Sequence, residues 1–327
     1  MMLKLKYLFE NYDLAKAVLE NWEHDDVTLD KMLAQFRISS NAIYPFCKDG
    51  VVCFLRLAPT GEKIEKNVLG EMEFIDYLLG CGYPALNPLK TKTDEICLTL
   101  NTKWGQYYAT AFQSVDGIPL EHTEMTKESI YAYGKALGRL HFLSSQFVPK
   151  TKKWTHCEVF GWIDAVLSEY GAPSGIASAS ASLRGELSQL PLQQDNYGLI
   201  HYDFEPDNVF YNAETKTCSV IDFDDGMYHW YALDIEQVFD SLAEKMGRET
   251  LQTAKNIFLK GYASEYGYTP EMEASRPLMR QFINLYSYAR LIRCVAEKFA
   301  DEPAWLVELR EKLGFVISKK EADILQF

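Results

Sequence analysis

No C-x-x-C pair occurs among the seven cysteines, at 47, 53, 81, 97, 157, 218 and 294. Their number is odd and most lie inside apolar stretches, which predicts free buried thiols in a reducing cytoplasm rather than a disulfide framework. No stretch approaches the roughly 18 apolar residues of a membrane-spanning helix. Residues 1–10 lack a sustained apolar run ahead of their first acid, so no signal peptide is expected and the protein is read as cytoplasmic, with no membrane partner. Basic residues are outnumbered, 33 against 46 acidic, for a net charge of −13. That balance argues against a general grip on nucleic acid. It suits a cationic small molecule or simply a solvated surface. No internal repeat or solenoid period is found. Hydrophobic residues reach 47% over 327 residues, which excludes a mostly disordered chain and is enough for a large core split between two lobes.

What is present is concentrated in one segment. Residues 199–210 read H-x-D-x-x-x-x-N at His201, Asp203 and Asn208, and an apolar run then ends at Asp222. Phosphoryl transfer from ATP needs such a set: a carboxylate at the acceptor hydroxyl, and an amide and a second carboxylate for Mg²⁺. Oxygen ligands suit that hard cation. Strands are expected at Tyr197–His201, Val209–Tyr211 and Cys218–Ile221, the last two joined by the polar turn 212–216. Such a hairpin brings Asn208 near Asp222. His201 is read as a structural brace rather than a proton carrier.

These residues resemble the aminoglycoside phosphotransferase and choline kinase-like family of small-molecule kinases. The resemblance rests on His201, Asp203 and Asn208, then Ile221, Asp222 and Phe223, and covers most of 35–300. It implies an α+β, bilobal, protein-kinase-like fold with a small β-rich N-lobe and a large, mainly helical C-lobe. The lobes are expected at 1–111 and 119–327, around a hinge at 112–118. It further implies ATP and Mg²⁺ as cofactors, Asp203 as catalytic base, and Asn208 and Asp222 as metal ligands. Asp234 matches a further family aspartate and is read as the N-cap of its helix. Two departures separate the chain from protein kinases: Glu205 stands two residues after Asp203 where those have Lys, and no A-P-E segment follows Asp222. A small acceptor is therefore favoured over a protein.

The upstream half is expected to hold the nucleotide. Ile43–Phe46 and Val51–Leu57 read as strands around the turn 47–50. Before them, Ser39 and Ser40 lie in a small, polar stretch that can offer backbone N–H groups to phosphates, although G-x-G-x-x-G is absent. Arg56 stands where the kinase fold usually places Lys, and the two cations are not equivalent. Residues 70–79 have helical periodicity, with apolar residues at 74, 75, 78 and 79 and a glycine-proline stop after them. Family spacing makes Glu71 the expected partner of Arg56, with Glu73 second. Ala111, Phe112 and Gln113 resemble the hinge whose backbone meets adenine.

Helices are also expected at 14–22, 126–147, 160–170, 177–190, 235–242, 251–266 and 276–299. His141 reads as a packed core residue. The aromatic stretch Met227–Tyr231 either walls an acceptor pocket or packs on the C-lobe. The whole reads as an ATP-dependent phosphotransferase acting on a hydroxyl of an aminoglycoside, choline, homoserine or sugar-like acceptor. The alternatives are a protein Ser/Thr kinase and a catalytically weak nucleotide-binding regulatory protein.

Overall fold

The computed structural model describes residues 2–326. Its first half is built on an antiparallel sheet. Helices α1 (Tyr12–Leu19) and α2 (Leu29–Leu33) precede strands β1 (Arg37–Ile38), β2 (Ala42–Lys48) and β3 (Val51–Pro59). Helix α3 (Glu65–Gly80) follows, then β4 (Asn87–Leu89), β5 (Cys97–Thr102) and β6 (Gly105–Gln113). The sheet order is β1-β2-β3-β6, and β4 and β5 share the far edge of β6 end to end. Asp49 and Gly50 join β2 to β3, both with left-handed backbone (φ 52° and 77°). That is the two-residue turn an Asp-Gly pair favours, because it follows the twist of the flanking strands.

Helix α3 stops where its C-terminal carbonyls find other donors. Tyr83 N–H bonds the Leu78 carbonyl and Gly82 N–H the Leu79 carbonyl, each at 2.9 Å. Gly82 takes the left-handed conformation this closure needs (φ 72°).

The second half is mainly helical. It contains β7 (Ile118–Pro119), α4 (Lys127–Gln146), α5 (His156–Glu169), α6 (Ser174–Leu187), β8 (Tyr197–Ile200), β9 (Val209–Asn212) and β10 (Thr217–Val220). β11 (Met227–Trp230), α7 (Ala232–Lys245), α8 (Arg248–Ala263), α9 (Pro270–Val295) and α10 (Ala304–Leu325) complete it. A three-stranded sheet runs β10-β9-β7, and β8 pairs with β11. Except for α4, which begins one residue later, the observed helices begin up to six residues before the expected ones. Their caps, such as the Thr155–Glu158 capping box of α5 and Thr269 of α9, precede the apolar pattern, which marks the buried face and not the ends.

Two readings are corrected or resolved here. Asp234 is not an N-cap: Tyr231 holds that position and Asp234 lies inside the first turn of α7. The aromatic stretch from Met227 is a strand, buried along its whole length against β8, so it packs in the core and contributes no residue to the cleft that holds Asp203.

A smaller core gathers Leu14, Trp22, Tyr44, Phe46, Leu55 and Ala111 beneath the large sheet. A larger one runs through the helical half and takes in Met72, Phe74, Ile75 and Leu78 of α3. Helix α8 lies close against α4 because Gly134 and Gly138 face it. A methyl group at either would run into the carbonyl of Phe258 or Tyr262. No helix among the described residues is long and apolar enough to cross a membrane.

Candidate active site

The segment 201–208 leaves β8 and returns at β9, and its shape is imposed by buried polar groups. Tyr202 has left-handed backbone (φ 64°), a conformation that costs a non-glycine residue energy unless its surroundings over-determine it. Asp234, fully buried on α7, supplies that constraint. Its carboxylate accepts the N–H of His201 (2.9 Å) and of Tyr202 (2.8 Å). It also accepts from His141 Nε2 at 3.1 Å, and His141 Nδ1 meets the Tyr262 hydroxyl at 2.9 Å. The close α4–α8 approach is what brings Tyr262 within reach. Gln237 holds the Tyr202 carbonyl at 2.8 Å, and Tyr133 hydrogen-bonds the Phe204 carbonyl.

His201 joins the loop to the next strand. Its Nε2 lies 2.9 Å from the Ile221 carbonyl and its Nδ1 accepts the Asp203 N–H at 3.2 Å. Both bonds together require the neutral ring with the proton on Nε2. Burial pushes its pKa down to about 4, in keeping with that form. The same strand end is tied back where Ile221 N–H donates to the Asn208 carbonyl at 3.0 Å.

Asp203, Asn208 and Asp222 share one cleft of about 450 Å³. Asn208 Nδ2 donates to the Asp203 carbonyl and to Asp203 Oδ2, each at 3.0 Å. This orientation leaves the amide oxygen of Asn208 pointing away from Asp203 as an acceptor. Burial first, and then the charges of Asp222 and Glu205, hold the Asp203 carboxyl well above the usual carboxylate range. Burial and the neighbouring Asp224 push Asp222 up to about 6. Asp222 also has left-handed backbone (φ 61°). Two crowded carboxyls beside an amide oxygen form a donor set suited to a hard divalent cation, whose charge relieves their repulsion. Among the described residues no three His, Cys, Asp or Glu side chains form a metal cage. Two carboxyls and an amide oxygen fit an ion such as Mg²⁺, which keeps water and phosphate oxygens in its shell.

The opposite wall carries Ser39, Ser40, Arg56, Phe112 and Gln113. Arg56 makes a bidentate pair with Glu71, at 2.7 and 2.8 Å, and its Nε donates to Thr110 Oγ1 at 3.1 Å. Its guanidinium also lies 5.0 Å from the Phe112 ring centre. Glu71 thus reaches the cleft only through Arg56. Glu73 instead accepts the N–H groups of Lys150 and Thr151. Ala111 is fully buried in the smaller core and paired on both sides, with Leu55 and with Leu89, so it is not part of the cleft wall. Ser114 and Val115, beyond the end of β6, do line it.

Several residues around the site belong to none of the motifs read from the sequence. Lys63 pairs with Asp224. Lys153 Nζ donates to the carbonyls of Phe223 (2.9 Å) and Asp224 (2.8 Å). Arg290 meets Asp225 at 2.6 Å. Each partner is distant in the chain, and no spacing rule pointed to it.

Known proteins share the family and the fold. The model of the phosphotransferase enzyme family matches residues 48–277. Amicoumacin kinase of Bacillus subtilis (strain 168) is 25% identical over 205 residues, covering 60% of this chain and 59% of that protein. The match thus spans less than two thirds of that relative's length. Among solved structures, an amicoumacin kinase in complex with AMP-PNP, Ca²⁺ and Ami superposes with a TM-score of 0.79 at 19% identity, covering 98% of this chain and 95% of that one. A microcompartment-associated aminopropanol kinase gives 0.70 at 19% identity, over 96% and 95%. At these identities the likeness establishes the bilobal, protein-kinase-like α+β fold.

Proposed function

The chain belongs to the phosphotransferase enzyme family, and from that premise we propose that it is an ATP-dependent kinase of a small molecule bearing a hydroxyl and an amine. The observation that carries this reading is the meeting of Asp203, Asn208 and Asp222 in one cleft, opposite the buried Arg56–Glu71 pair.

In this reading Asp203 orients the acceptor hydroxyl and takes its proton late, because a loose phosphoryl-transfer transition state asks mainly for positioning. Asn208 holds Asp203 in place with its amide N–H, and its amide oxygen and Asp222 would hold the metal. Mg²⁺ at that set would neutralise charge on the transferring phosphates. Arg56, kept rigid by Glu71 and Thr110, presents fixed positive charge to the phosphates. The turn at Ser39 and Ser40 covers them, and Phe112 to Val115 flank the base. The lobes divide at 1–111, 112–118 and 119–327. A core confined to residues 14–111 on one side supports that division, although α3 packs into the other.

The amine is supported by charge. The carboxylates of Asp207 and Glu121 line the same cleft as Asp203 and Asp222, so negative charge gathers where the acceptor would sit. The names of the relatives, an amicoumacin kinase and an aminopropanol kinase, agree with a small acceptor of this kind.

The test is ADP release from Mg·ATP across amino alcohols, aminoglycosides and choline, with neutral sugars for comparison. Release stimulated by an amine-bearing acceptor, and lost in Asp203→Ala, is expected. Stimulation by neutral sugars alone would remove the amine from the proposal. Binding of Mg·ATP with no acceptor stimulating release would defeat the kinase reading.

A further inference from the structure

We propose that Lys63 is a positioning residue for this phosphoryl transfer: through Asp224 it ties the Ser39–Asn41 turn over the phosphates to the turn that carries the metal ligand Asp222. The inference rests on the kinase reading above.

Lys63 lies just beyond the short helical turn Thr60–Glu62 that follows β3. Its ammonium pairs with the carboxylate of Asp224, and the two side chains are only 4% and 9% exposed. The Asp224 oxygen it meets also accepts Asn41 Nδ2 at 3.2 Å. Asn41 is itself 4% exposed and closes the serine turn, where its carbonyl accepts the Ser39 N–H at 3.0 Å. A single carboxylate oxygen therefore joins the serine turn, the 60–63 turn and the segment two residues beyond Asp222.

Among the described residues, further contacts of that segment come from the helical half. Lys153 holds the carbonyls of Phe223 and Asp224, and Arg290 holds Asp225. Asp222 keeps its left-handed backbone because the three residues after it are held from both halves of the molecule. The adjacent Glu62 pairs separately, with Arg293 of α9 at 2.7 Å. Lys63 is thus bound to an acid whose displacement would move Asp222.

A buried ion pair is seldom a net source of stability, because desolvation of both charges offsets their attraction. Its geometric effect is specific. It makes the phosphate-covering turn and the metal-ligand turn move as one body. Supporting groups of this kind act on metal affinity through the ligand they orient.

The experiment measures AMP-PNP affinity by calorimetry, without metal and over a Mg²⁺ series, for wild type and five variants. These are Lys63→Met, Lys63→Arg, Asp224→Asn, the double variant Lys63→Met/Asp224→Asn, and Glu62→Gln. In Lys63→Met the gain in affinity conferred by Mg²⁺ should shrink by on the order of tenfold, with metal-free affinity unchanged. Lys63→Arg should restore part of it. The double variant, which removes both charges of this pair, should be no worse than either single one. Glu62→Gln should lower the melting temperature and leave the Mg²⁺ dependence as in wild type. An equal loss of affinity with and without metal in Lys63→Met would make Lys63 a direct phosphate contact and overturn the proposal. So would an equal loss of the Mg²⁺ effect in Glu62→Gln, which would reduce the link to general support of the fold. Wild-type protein that binds AMP-PNP with no Mg²⁺ effect at all would overturn the kinase reading, and this inference with it. A normal wild-type response with an unaltered Lys63→Met overturns this inference alone.

Discussion

Asp234 Oδ1 accepts the backbone N–H of Tyr202 at 2.8 Å, fixing a left-handed residue immediately before Asp203. The bond spans 32 residues and links the first turn of α7 to the loop that presents the site. Replacing Asp234 with Ala would strand the N–H groups of His201 and Tyr202 and the Nε2 of His141, each a cost of about 1–3 kcal/mol. Asp234→Ala is expected to lower denaturant stability by several kcal/mol and to reduce turnover. Asp234→Asn should fall between it and wild type, because one carbonyl oxygen remains. Unfolding curves and initial rates together check both.

Burial and the neighbouring Asp224 push the Asp222 carboxyl up to about 6, crowding that a bound divalent cation would relieve. Asp222→Ala should raise the Mg²⁺ concentration needed for nucleotide binding at least tenfold, as loss of a ligand does more than loss of its support. Asp203→Ala should keep Mg·ATP binding and lose about 10²–10⁴-fold in turnover, the range for a positioned general base. Chelation of the metal with EDTA should abolish transfer in wild type. Equilibrium binding and single-turnover rates separate the two variants.

The Arg56–Glu71 pair is buried, with Glu71 1% exposed. Removing one partner leaves the other charge uncompensated, at a cost of about 3–5 kcal/mol. Glu71→Ala is expected to lose that much stability and to raise KM for ATP, since Arg56 then keeps Thr110 and the Phe112 ring but loses its bidentate partner. Arg56→Lys should lose the bidentate geometry and so also raise KM for ATP. Chemical denaturation with ATP titration is the check.

His156 lies far from the cleft and gives a pH signature of folding. Its Nδ1 bonds the Tyr197 hydroxyl at 2.8 Å and its ring lies 4.7 Å from that of Trp230. Burial lowers its pKa to about 4. The unfolded chain, with an ordinary histidine near pH 6.5, binds more protons between those limits. Stability is therefore full above about pH 6.5 and falls as the pH drops toward 4. His156→Gln should flatten this slope only in part, because buried His141, His201 and His229 act with the same sign. Melting temperatures at half-unit pH intervals test it.

The chain by itself determined its fold class. The motif run 201–222, the periodic helix before Gly82 and the Asp-Gly turn are local signals, and local signals survive in one dimension. It also supplied the residues of the site as candidates, since Asp203 and Asn208 lie close in the chain and their types suit the chemistry. It could not show that Asp234 serves another element's backbone. An aspartate in a first helical turn looks the same whether it faces its own helix or a loop some 30 residues away. Nor could it show that the aromatic run from Met227 is a buried strand, because aromatic residues serve a pocket and a core equally well. Lys63, Lys153 and Arg290 carried no signal at all. Their partners are 65 to 161 residues distant, and an ion pair depends on where side-chain charges end up after packing, which spacing does not encode. Tertiary structure alone brought those charges to the turn beside Asp222, because burying them there required each to find a partner.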